Sequence, residues 1–172
     1  LFSDGLRGTT TCEQPDLIRA LSSKLRGALA DHADFADDYA DNLTIELMHE
    51  NEISYVIRGA AFRAYNALGP GLLESVYERV LAHELKKDNL EVLTQVDVPV
   101  IYDGIDLKFG FRMDMLVANK VIIEVKSVES LLDVHYKQLL TYLKISNLKL
   151  GLLINFNTAN LEKSIKRVVN NL

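Results

Sequence analysis

"RMDMLVANKVIIEVKS", residues 112–127, alternates so strictly that its geometry can be read before its purpose. Met113, Met115 and Val117 share one parity, and after "ANK" the apolar set resumes at Val121, Ile123 and Val125. A period of two marks a half-buried strand, and two such runs joined by a short polar turn make a hairpin. With the turn centred on Asn119, Asp114 stands opposite Glu124. Lys126 shares their face, while Val125 points away. Like charges opposite one another destabilise a sheet. At a separation of about 5 Å and an effective dielectric of about 20, the repulsion is about 3 kcal/mol. Lys126 offsets part of that, and a divalent cation reverses its sign. Mg²⁺ or Mn²⁺ suits carboxylates supplemented by water. The competing reading is a solvated polar face, since a shift of the turn by one residue removes the pairing. Arg112 likewise reads as a support for the site or as a plain ion-pair partner.

Outward from the hairpin, "SLLDVHYKQLLTYLKIS" has helical spacing. His135, Gln138 and Tyr142 fall along one stripe, beside an apolar stripe of Leu132, Leu139 and Leu143. Gln138 is placed to hydrogen-bond a lysine, a water or a phosphate, or else is a surface glutamine. His135 reads as a hydrogen-bonding support, because no second histidine accompanies it as a metal ligand. "LGLLINF" reads as a short buried strand. "NLEKSIKRVVNNL" reads as a closing helix capped by Asn160. The basic residues of "KLK" and "KRVV" are expected to be solvated.

Upstream, "IDLKFGFRMDMLV" reads as one continuous strand with its odd positions on the core, and Asp103-Gly104 as the tight turn before it. "EVLTQVDVPVIY" is the strand before that turn. Two helices precede them, "ENEISYVIRGAAFRAYNAL" and "LLESVYERVLAHELKKDN", separated by "GPG". The expected stripe of the second helix is Leu72, Val76, Val80, Leu81 and Leu85. Glu74 and Glu78 lie four apart on one helical face with Tyr77 between them. Either acid offers a third carboxylate to the hairpin; the alternative is an exposed acidic side. The core reads ααβββαβα, a mixed sheet flanked by helices.

Composition bounds these readings. The chain has 172 residues, 48% of them hydrophobic, enough for one domain with a sizeable core. No apolar run approaches the roughly 18 residues that a membrane span needs, and no secretory signal is visible, so no membrane role and a cytoplasmic setting are expected. Cys12 is the single cysteine, which excludes an internal disulfide and a cysteine-based metal site. Residues 1–42 hold 4 Lys/Arg and 8 Asp/Glu, net -4, whereas the remainder holds 15 and 16, net -1. The first 42 residues, polar and beginning on Leu1, read as a poorly anchored helical extension of a fragment or a processed product. Residues 43–172 read as the folded domain. Its near-neutrality means that a polyanion would have to be held by local basic groups or by a metal.

An acidic helix, then D…ExK on adjacent strands, then a helix bearing Q-x-x-x-Y, resembles the PD-(D/E)xK nuclease superfamily. "GLLESVY" (71–77) fits the G-x-x-E-x-x-Y signature of a prokaryotic subgroup, the GxxExxY proteins, and "HYKQLLTYLK" and "LGLLINF" resemble its later segments. The resemblance implies a restriction-endonuclease-like α/β fold with Asp114 and Glu124 as metal ligands and Lys126 beside the nucleophilic water. It implies a helical Glu as further ligand, with Glu74 fitting the signature and Glu78 a contender. Gln138 becomes an accessory site residue, with Tyr77, Glu78, Arg112, His135 and Tyr142 as substrate-binding or supporting residues. The superfamily's leading Pro is Met113 here. The implied chemistry is Mg²⁺- or Mn²⁺-dependent hydrolysis of nucleic acid, DNA being favoured over RNA. Its rival is a catalytically silent module that binds nucleic acid or a partner on the same fold. A two-carboxylate glycosidase is disfavoured by the absence of Trp and because Lys126 has no task in it.

Overall fold

The hairpin forms in the register that a turn at Asn119 requires. In the computed structural model, which describes residues 45–106 and 110–172, strand β4 (Phe111–Val117) and β5 (Val121–Lys126) pair as Met115↔Ile123, Leu116↔Ile122 and Val117↔Val121. The chain reverses through Ala118 and Asn119, both at positive φ, and the Lys120 N–H donates to the Val117 carbonyl at 3.0 Å. The expected extension over residues 1–42 lies outside the described residues, as does Cys12.

Within the compact unit His49–Leu172, the hairpin is preceded by α1 (Glu50–Leu68), α2 (Glu74–Lys87), β1 (Val92–Val98), β2 (Ile101–Tyr102) and β3 (Ile105–Asp106). It is followed by α3 (Asp133–Ile145), β6 (Leu150–Asn155), α4 (Leu161–Ser164) and β7 (Ile165–Val169). Five strands form one sheet in the order β1-β4-β5-β6-β7. The β5–β6 pair is parallel and the other three pairs are antiparallel. A parallel neighbour needs a crossover, which α3 supplies. All six residues of β6 are buried, as its apolar run implies. This is the expected mixed sheet flanked by helices. Among the described residues no helix is long and apolar enough to cross a membrane.

Four local expectations are corrected. The strand expected over residues 105–117 is interrupted: Ile105–Asp106 pairs with Ile101–Tyr102 in a separate two-stranded ribbon, and β4 begins only at Phe111. Gly110 marks the interruption, because a Cβ there would lie 2.1 Å from the Val98 carbonyl oxygen. Only a residue without a side chain fits so close a backbone approach.

The expected closing helix is a single turn, α4, followed by β7. Asn160 does cap that turn, accepting from the Lys163 N–H at 3.3 Å. Past it, the β-branched residues Ile165, Val168 and Val169 pair along β6 and cover an edge that would otherwise be open.

Leu81 and Leu85 of the expected α2 stripe are buried, but Tyr77 and Ala82 complete the buried face in place of Leu72, Val76 and Val80. Tyr77 carries the larger ring and finds partners for its hydroxyl, so it takes the core.

Finally, strict alternation fails in β4. Met113 packs with Ile122, Leu139 and Leu153 beneath α3, whereas Met115 stands opposite Ile123. Consecutive residues Ile122 and Ile123 face opposite sides of the sheet, so Met113 and Met115 do too. The break falls at Asp114, and Gln95, the residue that would oppose it on β1, has φ 54°.

Candidate active site

β5 runs out of the core at its C-terminal end and carries Glu124 with it, still only 2% exposed. One oxygen of Glu124, Oε2, accepts from the Lys126 ammonium at 3.2 Å; the other, Oε1, is buried without a hydrogen-bond partner. Asp114 reaches across from β4. Its Oδ2 accepts from the Val125 backbone N–H at 2.8 Å and lies 3.9 Å from Lys126 Nζ. That carboxylate captures a backbone donor of β5, and the backbone pairing of β4 with β5 ends one step earlier, at Met115↔Ile123. The local break in alternation and the aim of the acid have one cause.

Two acids and one amine in so little water perturb each other. Burial, reinforced by the negative charge of Asp114 and opposed by Lys126, pushes the Glu124 carboxyl up to about 7. Burial also raises Asp114, against the Val125 N–H and Lys126. For Lys126 burial on its own favours the neutral amine. Glu124 and Asp114 outweigh it, so the ammonium is held above its ordinary value. Lys126 is therefore a cation at neutral pH.

α2 brings two further carboxylates. Glu74, in its first turn, accepts from the Ser127 backbone N–H at 2.9 Å, and the Ser127 hydroxyl donates to the Leu72 carbonyl at 2.6 Å. The start of α2 is thereby tied to the residue after Lys126. One turn on, Glu78 accepts from the Gln95 amide at 2.7 Å. Burial and then the charge of Asp114 raise its pKa, so Glu78 also faces the cluster. Tyr77 points the other way. It stacks on Phe156 with ring centroids 4.4 Å apart, donates to the Gly69 carbonyl at 2.6 Å and accepts from the Leu72 N–H at 3.1 Å. With Gly71 at φ 100°, it fixes the loop that aims Glu74.

From α3, Gln138 donates to the Tyr142 hydroxyl at 2.5 Å rather than to Lys126. Burial raises the Tyr142 pKa; Gln138 opposes this, and the charges of Glu124 and Asp114 add to it, which puts the phenol within their field. His135 and Arg112 are engaged elsewhere. His135 Nδ1 accepts from the Leu132 N–H at 3.1 Å and closes the first turn of α3. Arg112 pairs with Asp97 of β1 at 3.0 Å, both side chains being exposed.

Sequence reasoning missed Gln95, Ser127 and Asn155. Asn155 is 4% exposed at the end of β6, beside Lys126 in the parallel pair. Its Oδ1 accepts from the N–H groups of Val128 (3.1 Å) and Asn157 (3.2 Å), and its Nδ2 donates to the Val128 carbonyl (2.8 Å). The signal was present: a lone amide closing an apolar strand must be hydrogen-bonded when buried.

The donor set fits a hard divalent cation. It offers carboxylate oxygens only, one of them buried and without a partner. Among the described residues no three His, Cys, Asp or Glu side chains are already gathered as a cage, so the fit is to two acids supplemented by water.

The profile of the PD-(D/E)XK nuclease superfamily matches residues 51–168. No curated protein and no solved structure matches the chain. The matched span carries Glu74, Asp114, Glu124, Lys126 and Gln138 on the sheet and helices just described, and the chain belongs to the PD-(D/E)XK nuclease superfamily.

Proposed function

We propose that this protein is a metal-dependent phosphodiesterase that hydrolyses nucleic acid, with DNA as the favoured substrate, of the GxxExxY type. The observation that carries the reading is the convergence of Asp114, Glu124 and Lys126: one amine within 3.2 Å and 3.9 Å of two acids that would otherwise repel each other in a nearly dry site. A site kept only for stability would gain by replacing one acid with an apolar or amide side chain. Membership of a superfamily whose enzymes typically use divalent metals supports the same reading.

Asp114 and Glu124 would hold Mg²⁺ or Mn²⁺, with Glu74 or Glu78 available as a further carboxylate. Such an ion supplies Lewis acidity to a phosphoryl oxygen and acidifies water. Lys126, charged at neutral pH, is suited to stabilising the negative charge that develops on the phosphoryl group, and is unsuited to abstracting a proton. Glu74 keeps the chain after Lys126 in place through Ser127, and Asn155 keeps the next residue in place. Gln138 and Tyr142 form the polar wall on the α3 side, where the amide and phenol can receive a phosphate or a water.

The test is cleavage of labelled single- and double-stranded DNA and RNA in Mn²⁺ or Mg²⁺. Wild-type protein is expected to cleave at least one of them, and Lys126→Ala and Asp114→Asn to lose that activity. Cleavage that survives both substitutions refutes the assignment. Binding without cleavage by wild-type protein gives the silent-module reading instead.

A further inference from the structure

We infer that Phe111 is a stacking platform for an unpaired nucleobase, so that the strand to be cut is presented to the cluster single-stranded. The inference rests on the phosphodiesterase reading above and adds the form of the substrate. Phe111 opens β4, three residues before Asp114, and about 10 Å of strand separates the two. Its ring is 42% exposed although it is a large apolar side chain at the rim of a polar site. Its inner side rests against Tyr142, with centroids 5.3 Å apart and the planes tilted by 49°. Tyr142 is itself 2% exposed and bonded to Gln138, and its hydroxyl lies in the field of Glu124 and Asp114. A buried ring, within the field of the acids, therefore backs an exposed one.

Charge explains why an aromatic surface is needed. Residues 43–172 are nearly neutral, net -1, and among the described residues the cluster sets Glu74, Glu78, Asp114 and Glu124 around Lys126. Arg112, beside Phe111, is paired with Asp97. Attraction between phosphates and basic side chains, the usual source of affinity for nucleic acid, is weak in such a site. Stacking on an aromatic face needs no charge and tolerates any base, but the base must be out of its duplex.

The experiment uses the full chain and a short single-stranded DNA carrying 2-aminopurine, in Ca²⁺, which takes oxygen ligands. Wild-type protein is expected to quench the fluorophore, to bind the single strand in preference to its duplex, and to show a shallow salt dependence. Phe111→Leu should weaken single-strand binding about tenfold and lose the quench, while Phe111→Tyr keeps both. Phe111→Ile serves in place of the leucine variant should its melting curve differ from wild type. Tyr55→Ala, which removes an exposed ring from α1, should change nothing. Quenching and affinity unchanged in Phe111→Leu, or an equal loss on duplex and single strand, overturns the platform. Cleavage by wild-type protein in Mn²⁺ is scored separately. If it cleaves while Phe111→Leu binds normally, the platform alone fails; if it quenches but never cleaves, the phosphodiesterase reading fails and the platform stands.

Discussion

Two charged clusters in this protein are built from the same residue types and behave oppositely. Between α1 and α2, Arg63 and Lys87 meet Glu84 and Asp88, two cations for two anions, at 2.5–2.7 Å. The hydrogen bonds that Glu84 accepts from Lys87 and Arg63 lower its pKa, and those that Arg63 donates to Glu84 and Asp88 raise that of Arg63. The charges of Glu84 and Arg63 are favoured by their neighbours. At the end of β5 one lysine faces Asp114 and Glu124, with Glu74 and Glu78 behind them, and burial raises the pKa of Glu124, Asp114 and Glu78. The first cluster holds helices together; the second leaves negative charge in excess and unsatisfied. An arrangement that works against folding at neutral pH is what the proposed site for a cation and an anionic substrate would require.

The contrast can be broken most directly at the two acids of the hairpin. Wild-type protein is expected to gain Tm in Mn²⁺, and Asp114→Asn and Glu124→Gln are each expected to abolish that gain and to lower cleavage by at least about 100-fold. A variant that keeps either would make the second cluster no different from the first. Asn155→Ala should come next, costing about 1 kcal/mol by removing three part-buried hydrogen bonds to the Val128 and Asn157 backbone, measured by urea unfolding.

The excess charge also sets a pH dependence in metal-free protein. The folded pKa of Glu124, about 7, lies above its ordinary value of 4.5. Its contribution to stability is therefore fully present below pH 4.5 and is lost as pH rises through 7, by roughly 3 kcal/mol at most. Wild-type Tm should fall across that window more steeply than that of Glu124→Gln, in which Asp114 and Glu78 still carry raised pKa values, and the variant should exceed wild type at pH 8. Equal pH profiles would remove the claim of excess charge. The smallest effect is reserved for the other cluster: Glu84→Gln should leave cleavage and Mn²⁺ binding unchanged and lower Tm slightly, as surface pairs contribute little.

How far the sequence was legible follows from the range of each interaction. The turn at Asn119, the helical stripe of α1 and the burial of β6 depend on neighbours in the chain, and period and turn chemistry report them. The last segment misled because Ile165, Val168 and Val169 fit a helical spacing as well as a strand. The open edge of β6, which periodicity cannot see, decided for the strand. Tyr77 was legible as part of a signature, but its turn into the core came from Phe156, seventy-nine residues further along the chain.

For the site, the amino-acid order determined which residue types the hairpin brings near its open end: two acids and a lysine about one turn. The tertiary structure decided the rest. It buried Glu124 and freed one of its oxygens. It brought Glu74 and Glu78 in from a helix forty residues upstream of Asp114, and it gave Arg112 and His135 other partners. Local pattern fixes direction along a strand, whereas desolvation and the company of distant charges exist only once the layers have closed around it.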